Sequence, residues 1–203
     1  MQVPESTDES ELLRRIAAED LGAFKTLVDR YQNRVFGLCS RLLSHPQNAE
    51  DVAQDVFFQV YRSSGTFRHD SLVSTWIYRI VINRCRNFNR DNRKFGQVGE
   101  LRQGLQSEAW SRPGSAAPNV GDPASAWKVN ETRELIRNTV ASLPEKQKTM
   151  LILNKFEGRS YQEIAEIMDV SVASVESCLH RAKLNLQKKL APQFPDLCQG
   201  RKF

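Results

Sequence analysis

Residues 96–126 hold Gly96, Gly99, Gly104, Gly114, Gly121, Pro113, Pro118, Pro123, Ser107, Ser111, Ser115 and Ser125. That density of helix breakers forbids a long helix and contributes little to a core. The chain is thereby divided, and each half must bury its own apolar residues. Both halves show apolar residues at three- and four-residue steps, with no strand-like alternation longer than a few residues. The expected fold is all-α: two small helical domains joined by a flexible linker. The boundaries read as 1–95 for the first domain, 96–127 for the linker, 128–191 for the second domain and 192–203 for a C-terminal tail. Trp110 is the odd residue of the linker, fit either to dock on a partner or to make a local contact.

Composition narrows the function. With 203 residues, 40% hydrophobic and 26% charged, there is apolar material for two modest cores and too much for a disordered chain. Apolar runs such as Trp76–Val81, with Arg79 inside, fall far short of a bilayer span. The acids Glu5, Asp8, Glu9, Glu11, Glu19 and Asp20 leave no apolar stretch for a secretory leader, so a cytoplasmic protein without direct membrane insertion is expected. Cys39, Cys85, Cys178 and Cys198 form no CxxC pair, and His45, His69 and His180 are scattered; small core thiols are expected, with no metal, no cofactor and no catalytic residue. A formal charge of +5 and a pI near 9.1 hint at a polyanionic partner.

In the first half, Leu12, Leu13 and Ile16 begin a short helix. Phe24, Leu27, Val28, Tyr31, Val35, Leu38, Cys39 and Leu42 then make one apolar stripe. His45-Pro46 breaks that helix, and Asn48 looks like the N-cap of the next, about 49–62. Val52, Val56 and Val60 suit its core side. Asp51, Gln54, Asp55 and Gln59 share another face. Spacing alone favours an ordinary solvated face; the other reading is a docking face offering acids and amides to a basic surface. A further helix, about 72–93, carries a core stripe among Trp76, Ile77, Ile80, Val81, Arg84 and Cys85. Arg79, Asn83, Arg86 and Arg90 form its polar-basic face, with Thr75, Trp76 and Tyr78 beside its start. Bases interleaved with aromatics favour nucleic acid, cations meeting phosphates and rings stacking on exposed bases, over a solvated basic helix.

The second half reads as a helix-turn-helix. Ser142 with Glu145, and Ser160 with Glu163, have capping-box spacing. Met150, Leu151, Leu153 and Phe156 form an apolar face ended by Gly158. Tyr161–Met168 is a short helix, Asp169 takes the turn and Ser171 caps the next helix, about 172–189. Ala165 is small where the helices cross, and Ile164, Met168, Val170, Val175 and Cys178 pack. Val172, Val175, Leu179, Ala182 and Leu186 share the inner face of the last helix. Ser174, Ser177, Arg181 and Lys188 face out, suited to base edges and phosphates. Glu176 and His180 flank that face, where either readout or a plain surface role fits; Lys183 and Lys189 extend the basic surface.

Three ordered stretches, AEDVAQDVFFQVYRS (49–63), TFRHDSLVSTWIYRIVINRCRNFNR (66–90) and LPEKQKTMLILNKFEGRSYQEIAEIMDVSVASVESCLHRAK (143–183), resemble bacterial RNA polymerase sigma factors of the extracytoplasmic-function (ECF) type. The resemblance implies an alternative sigma factor that binds core RNA polymerase and directs promoter-specific transcription initiation. It implies that Asp51, Gln54, Asp55 and Gln59 dock on the β′ clamp helices. It implies that Phe67, Arg68, His69, Asp70 and Ser71 hold a flipped-out base of the −10 element, with Trp76, Tyr78, Arg79, Asn83 and Arg86 beside the melted strand. Ser174, Ser177, His180, Arg181 and Lys188 would read the −35 element. The implied partners are core polymerase, promoter DNA and an anti-sigma factor; the linker would pass through the polymerase toward its RNA exit path. Two rivals stand beside this reading. One is a helix-turn-helix regulator that binds duplex DNA without polymerase. The other is a nucleic-acid enzyme using Asp51 and Asp55 as metal ligands, which lacks a convincing third ligand.

Overall fold

The computed structural model describes residues 5–43, 45–94 and 123–194. Trp110, Cys198, most of the linker segment and most of the tail lie outside the described residues. Among the described residues the structure is helical throughout, without a strand. The elements are α1 (Glu5–Ala17), α2 (Leu21–Leu42), α3 (Pro46–Ser63), a one-turn 3-10 helix (Ser64–Thr66), α4 (Val73–Lys94), α5 (Pro123–Ala141), α6 (Glu145–Lys155), α7 (Tyr161–Met168) and α8 (Val172–Leu190). They gather into two compact units, one built on α1–α4 and the other on α5, α6, the first five residues of α7 (161–165) and α8.

In the first unit, α3 packs on both α2 and α4, and α1 lies along α2. Leu27, Leu38, Cys39, Val56, Val60 and Ile77 are completely buried, with Leu13 and Ile16 from α1 closing the core. The turn between α1 and α2 is compact because Glu19 adopts a left-handed backbone (φ 64°) and Asp20 caps α2. One Asp20 oxygen accepts the Ala23 N–H at 3.0 Å, and the other takes two Arg15 donors at 2.9 and 2.7 Å. The Ala23 N–H and the Arg15 guanidinium hold this carboxyl below its ordinary pKa. At the far end, the Tyr31 hydroxyl donates to Glu9 and Arg30 pairs with Asp8, both at 2.8 Å.

The second unit packs α5 and α6 against α8. Met150, Leu151, Ile152 and Leu153 are all buried, so α6 is covered on more than one side rather than along a single face. Ile164, Val175 and Ala182 complete this core. Of the two anticipated capping boxes, the second forms. The Ser160 N–H donates to Glu163 at 2.8 Å, and the Glu163 N–H donates to the Ser160 hydroxyl at 3.2 Å. Ser171 caps α8 by accepting the Ser174 N–H at 3.2 Å, and Asp169 takes the left-handed turn (φ 52°).

Four local expectations are corrected. Helix α3 starts at Pro46, after an extended His45 that makes no side-chain cap, rather than at an Asn48 cap. Proline drives the residue before it out of the helical region, and its missing N–H is harmless in a first turn, so His-Pro sets the start. Helix α5 begins at Pro123 rather than near 127, the proline's missing N–H being harmless in a first turn. The Ser142–Glu145 box does not form. Pro144 takes the N-cap place, putting Glu145 in the first position instead of the third, and the Ser142 hydroxyl donates to the Thr139 carbonyl at 2.7 Å. Val172 is 40% exposed rather than inward. It is the first residue of α8, where a side chain tilted toward the N-terminus has no preceding turn to cover it.

Burial opposes ionisation of Glu163, but the Ser160 N–H and the Arg159 guanidinium, 2.7 Å away, outweigh it and lower its pKa. A carboxyl lowered on folding lends stability above its unfolded pKa and loses it as pH falls through the folded value. Glu163→Gln keeps an acceptor for the cap but cannot titrate. Its second unit should therefore lose less stability than the parent between neutral pH and the acid limb, as read by urea melts at stepped pH. Parallel curves for the two proteins would remove the charge from the cap.

Candidate nucleic-acid interface

The geometry of α3 follows from what it buries. Ala49, Val52, Ala53, Val56 and Val60 are no more than 8% exposed, which turns Asp51, Gln54 and Asp55 into solvent. Gln59 is half-buried, and its side-chain oxygen accepts the Arg84 guanidinium of α4 at 2.8 Å. It thus joins two helices and is less available than its three neighbours. Phe58 belongs to the same outward face and was missed by the sequence reading. It is 59% exposed, with Arg62 over its ring at 5.6 Å. Positions 51, 54, 55 and 58 share the helical repeat that would have found it, had aromatics not been reserved for the core.

The segment 67–71 joins the 3-10 helix to α4. Phe67 is buried and lies between two other rings: His69 at 4.8 Å, edge to face, and Trp76 at 5.4 Å. Arg68, His69 and Asp70 are exposed, and Ser71 is half-buried. His69 has a left-handed backbone (φ 59°), a conformation costing roughly 1–2 kcal/mol for a residue with a Cβ. Its imidazole is exposed and stands edge to face with the Phe67 ring. Trp76 is half-buried at the start of α4, leaving part of its indole accessible.

Along α4, Asn83, Arg86 and Arg90 are exposed and Arg79 is half-buried, so the basic face is real. Tyr78 departs from expectation. It is 3% exposed and belongs to the buried set with Thr75, Ile77, Val81 and Ile82. Residues 77, 78, 81, 82 and 85 make a buried stripe wide enough to take in the tyrosine. Tyr78 and Phe67 are therefore supports for the surface; Trp76, His69, Arg68, Asn83 and Arg86 are the surface.

On α8, Ser177, His180, Arg181 and Lys188 are exposed and Ser174 is half-buried beside its cap. Val175, Cys178, Leu179 and Ala182 turn inward and fix that face. Arg181 Nε donates to the Ser177 carbonyl one turn back, at 3.3 Å, laying the guanidinium along the helix surface. Leu184 is 42% exposed on the same helix, another residue that periodicity did not single out. Among the described residues, no group of three or more His, Cys, Asp or Glu side chains is placed to hold a metal ion.

Residues 27–95 match the family Sigma-70 region 2, and residues 133–186 match Sigma-70, region 4. The RNA polymerase sigma-H factor of Pseudomonas aeruginosa is 34% identical over 190 residues, covering 91% of this chain and 94% of that protein. The ECF RNA polymerase sigma-E factor of Haemophilus influenzae is 35% identical over 187 residues, 92% of this chain and 96% of that protein. The sigma-E factor of Escherichia coli is 33% identical over 181 residues, 89% and 93%. Among solved structures, CnrH in complex with the cytosolic domain of CnrY shares the fold at a TM-score of 0.63 and 20% identity, covering 91% of this chain and 97% of that one. The sigma factor RpoE of Bartonella quintana, in complex with the anti-sigma factor NepR, does so at 0.60 and 19%, covering 82% and 96%.

Burial separates the residues of α4 into two classes with different outcomes. Tyr78→Ala is expected to destabilise the first unit by about 3–5 kcal/mol, the range for removing a buried aromatic. Asn83→Ala and Arg86→Ala, at exposed positions, should stay within about 0.5 kcal/mol of the parent. Urea melts followed by circular dichroism decide it; a Tyr78→Ala protein as stable as the parent would return Tyr78 to the surface.

Proposed function

Because the chain belongs to the extracytoplasmic-function branch of the sigma-70 family, whose members direct transcription initiation, we propose a division of labour among its helices. Helix α3 docks the protein on core RNA polymerase through Asp51, Gln54 and Asp55, with Phe58 at the centre of the contact and Gln59 bracing α3 against α4. The loop 67–71 and α4 take up the −10 element. Arg68, His69 and Asp70 rim a site for an unstacked base, Ser71 closes the loop, and Phe67 supports it from below. Trp76 offers a stacking edge, and Arg79, Asn83 and Arg86 follow the strand, with Tyr78 holding the helix in place. Helix α8 reads the −35 element in duplex DNA through Arg181, with Ser174, Ser177, His180 and Lys188 on the same exposed surface.

The observation that carries this reading is that one unit presents two unlike faces. An acid-and-amide face with an exposed phenylalanine stands on α3, and an aromatic-cationic face on α4. A regulator working on duplex DNA alone has use for the second unit but not for this pair. The protein performs no covalent step in this account; polymerase makes the phosphodiester bonds. Unstacking a base costs a few kcal/mol, and one aromatic stack returns about 1–3 kcal/mol, so opening needs several contacts at once. Clustering the rim residues around one loop and one helix supplies them. The protein acts in the cytoplasm, where its polymerase and promoters are. An anti-sigma factor that covers these faces would hold it inactive, as the complexes of the structural relatives suggest.

Run-off transcription with purified core polymerase, with and without this protein, tests the whole scheme through start sites that depend on its addition. Within it, Asp51→Arg and Phe58→Ser should each weaken core binding about tenfold, equal to about 1.4 kcal/mol, with the fold intact by circular dichroism. Fluorescence anisotropy titrations read this directly, and unchanged affinity in both proteins would move the docking face elsewhere. Arg181→Ala should reduce binding to a −35 duplex about tenfold and blunt discrimination at one base pair. Full retention of both would assign the reader to another residue.

A further inference from the structure

Cys39 of α2 and Cys85 of α4 are free thiols, 0% and 2% exposed, and their sulfurs lie 3.9 Å apart, with the Cys85 S–H directed at Cys39. Two sulfurs from helices 46 residues apart in the chain meet across one core. Bonding distance is about 2 Å, so the sulfurs need close by only ~1.9 Å. The stretch between them holds all of α3, the loop 67–71 and the first half of α4. Every residue assigned above to polymerase and to the unstacked base lies in that interval, from Asp51 to Trp76, and of the strand-following residues only Arg86 falls just beyond it.

We propose that Cys39 and Cys85 form a reversible disulfide on exposure to a hydroperoxide, closing a covalent ring around the segment that carries both functional faces of the first unit. The chemistry balances in two steps. The Cys85 sulfur, the less deeply buried, attacks the O–O bond of the peroxide. Cys85 becomes a sulfenic acid, and an alcohol, or water from hydrogen peroxide, departs with the thiol proton. The Cys39 sulfur then attacks the sulfenic sulfur, the S–S bond forms and water leaves with the second proton. The peroxide is reduced by two electrons and the dithiol is oxidised by two. A dithiol reductant reverses the bond by exchange.

Burial makes this a slow and conditional modification. The hydrogen bond from Cys85, followed by desolvation, raises the pKa of Cys39, so that thiol is protonated at neutral pH. Charged oxidants are excluded from the core, which leaves small neutral peroxides and transient opening as the routes in. The reduced state is thus the resting state of a reducing compartment, and oxidation marks a departure from it. Because the sulfurs lie away from the exposed faces of α3 and α4, closing the bond stabilises the unit without covering either face. That last clause alone rests on the functional reading above.

The test uses the full chain, fully reduced, then treated with hydrogen peroxide or tert-butyl hydroperoxide and mapped by peptide mass spectrometry without reduction. The expected product is a Cys39–Cys85 linked peptide, two hydrogens lighter than its parts, abolished in Cys39→Ala and in Cys85→Ala and reversed by dithiothreitol. The oxidised first unit should melt higher by at least ~5 °C, the shift expected when a long loop is closed without strain. Oxidation confined to Cys178 or Cys198, sulfinic acid at Cys39 or Cys85 in place of the link, or a linked protein that melts lower, would each overturn the proposal. If the link forms and raises the melting point but run-off transcription is lost, the staple stands and the claim that it spares the two faces fails. Failure of the reduced protein to support transcription at all would fault the functional reading and leave the staple untouched.

Discussion

The burial of one apolar stripe on α3 governs the first unit. Val56 and Val60 are wholly enclosed and Val52 nearly so, and a helix that buries these positions against α2 and α4 has no freedom over what it shows to solvent. Asp51, Gln54, Asp55 and Phe58 are outward because the valines are inward. The same core orients α4. Ile77, Val81 and Cys85 face it, which sends Asn83 and Arg86 out on another side. The Arg84–Gln59 hydrogen bond ties the two helices where their polar sides meet. One hydrophobic core therefore fixes two recognition surfaces at once, and a cavity opened beneath either would disturb both.

Much of this architecture was legible in the chain. Helical periodicity placed α2, α3, α4 and α8, and short-range hydrogen-bonding chemistry placed the Ser160–Glu163 box, the Ser171 cap and the Asp169 turn. What escaped has a common cause. Periodicity finds a stripe but not its width, so Tyr78 was read as surface when the buried band of α4 was broad enough to include it. Phe58 was passed over for the converse reason: an aromatic on a helix is assigned to the core unless something opposes it. At helix starts, backbone sterics overrode side-chain capping. Pro46, Pro123 and Pro144 each decided where a helix begins, and only a three-residue offset made Ser142 look like a cap. Gln59 shows a further limit, since its partner Arg84 is remote in sequence and no local pattern announces the bond.

Non-glycine residues with left-handed backbones stand at three turns among the described residues: Glu19, His69 and Asp169. Two have an evident local reward. Glu19 lets Asp20 cap α2 while holding Arg15, and Asp169 makes the turn after which Ser171 caps α8. Compact turns of this kind let short helices pack when neither unit is large enough to tolerate long connections. His69 receives only an edge contact with Phe67 in return for its strain. A costly conformation kept at an exposed loop tip is the pattern associated with recognition more than with stability.

The attachment of α1 shows where the folding unit begins. The family match opens at residue 27, inside α2. Folding does not respect that edge: Leu12, Leu13 and Ile16 lie in the core, and Glu9 holds the hydroxyl of a fully enclosed Tyr31. A fragment trimmed to the matched span would expose those apolar contacts and leave a buried phenol without its acceptor. The span that matches the region 2 family is thus shorter than the segment that folds. Swapping such domains between relatives at the signature boundary would transplant a recognition surface without its foundation, whereas a cut ahead of α1 would carry both.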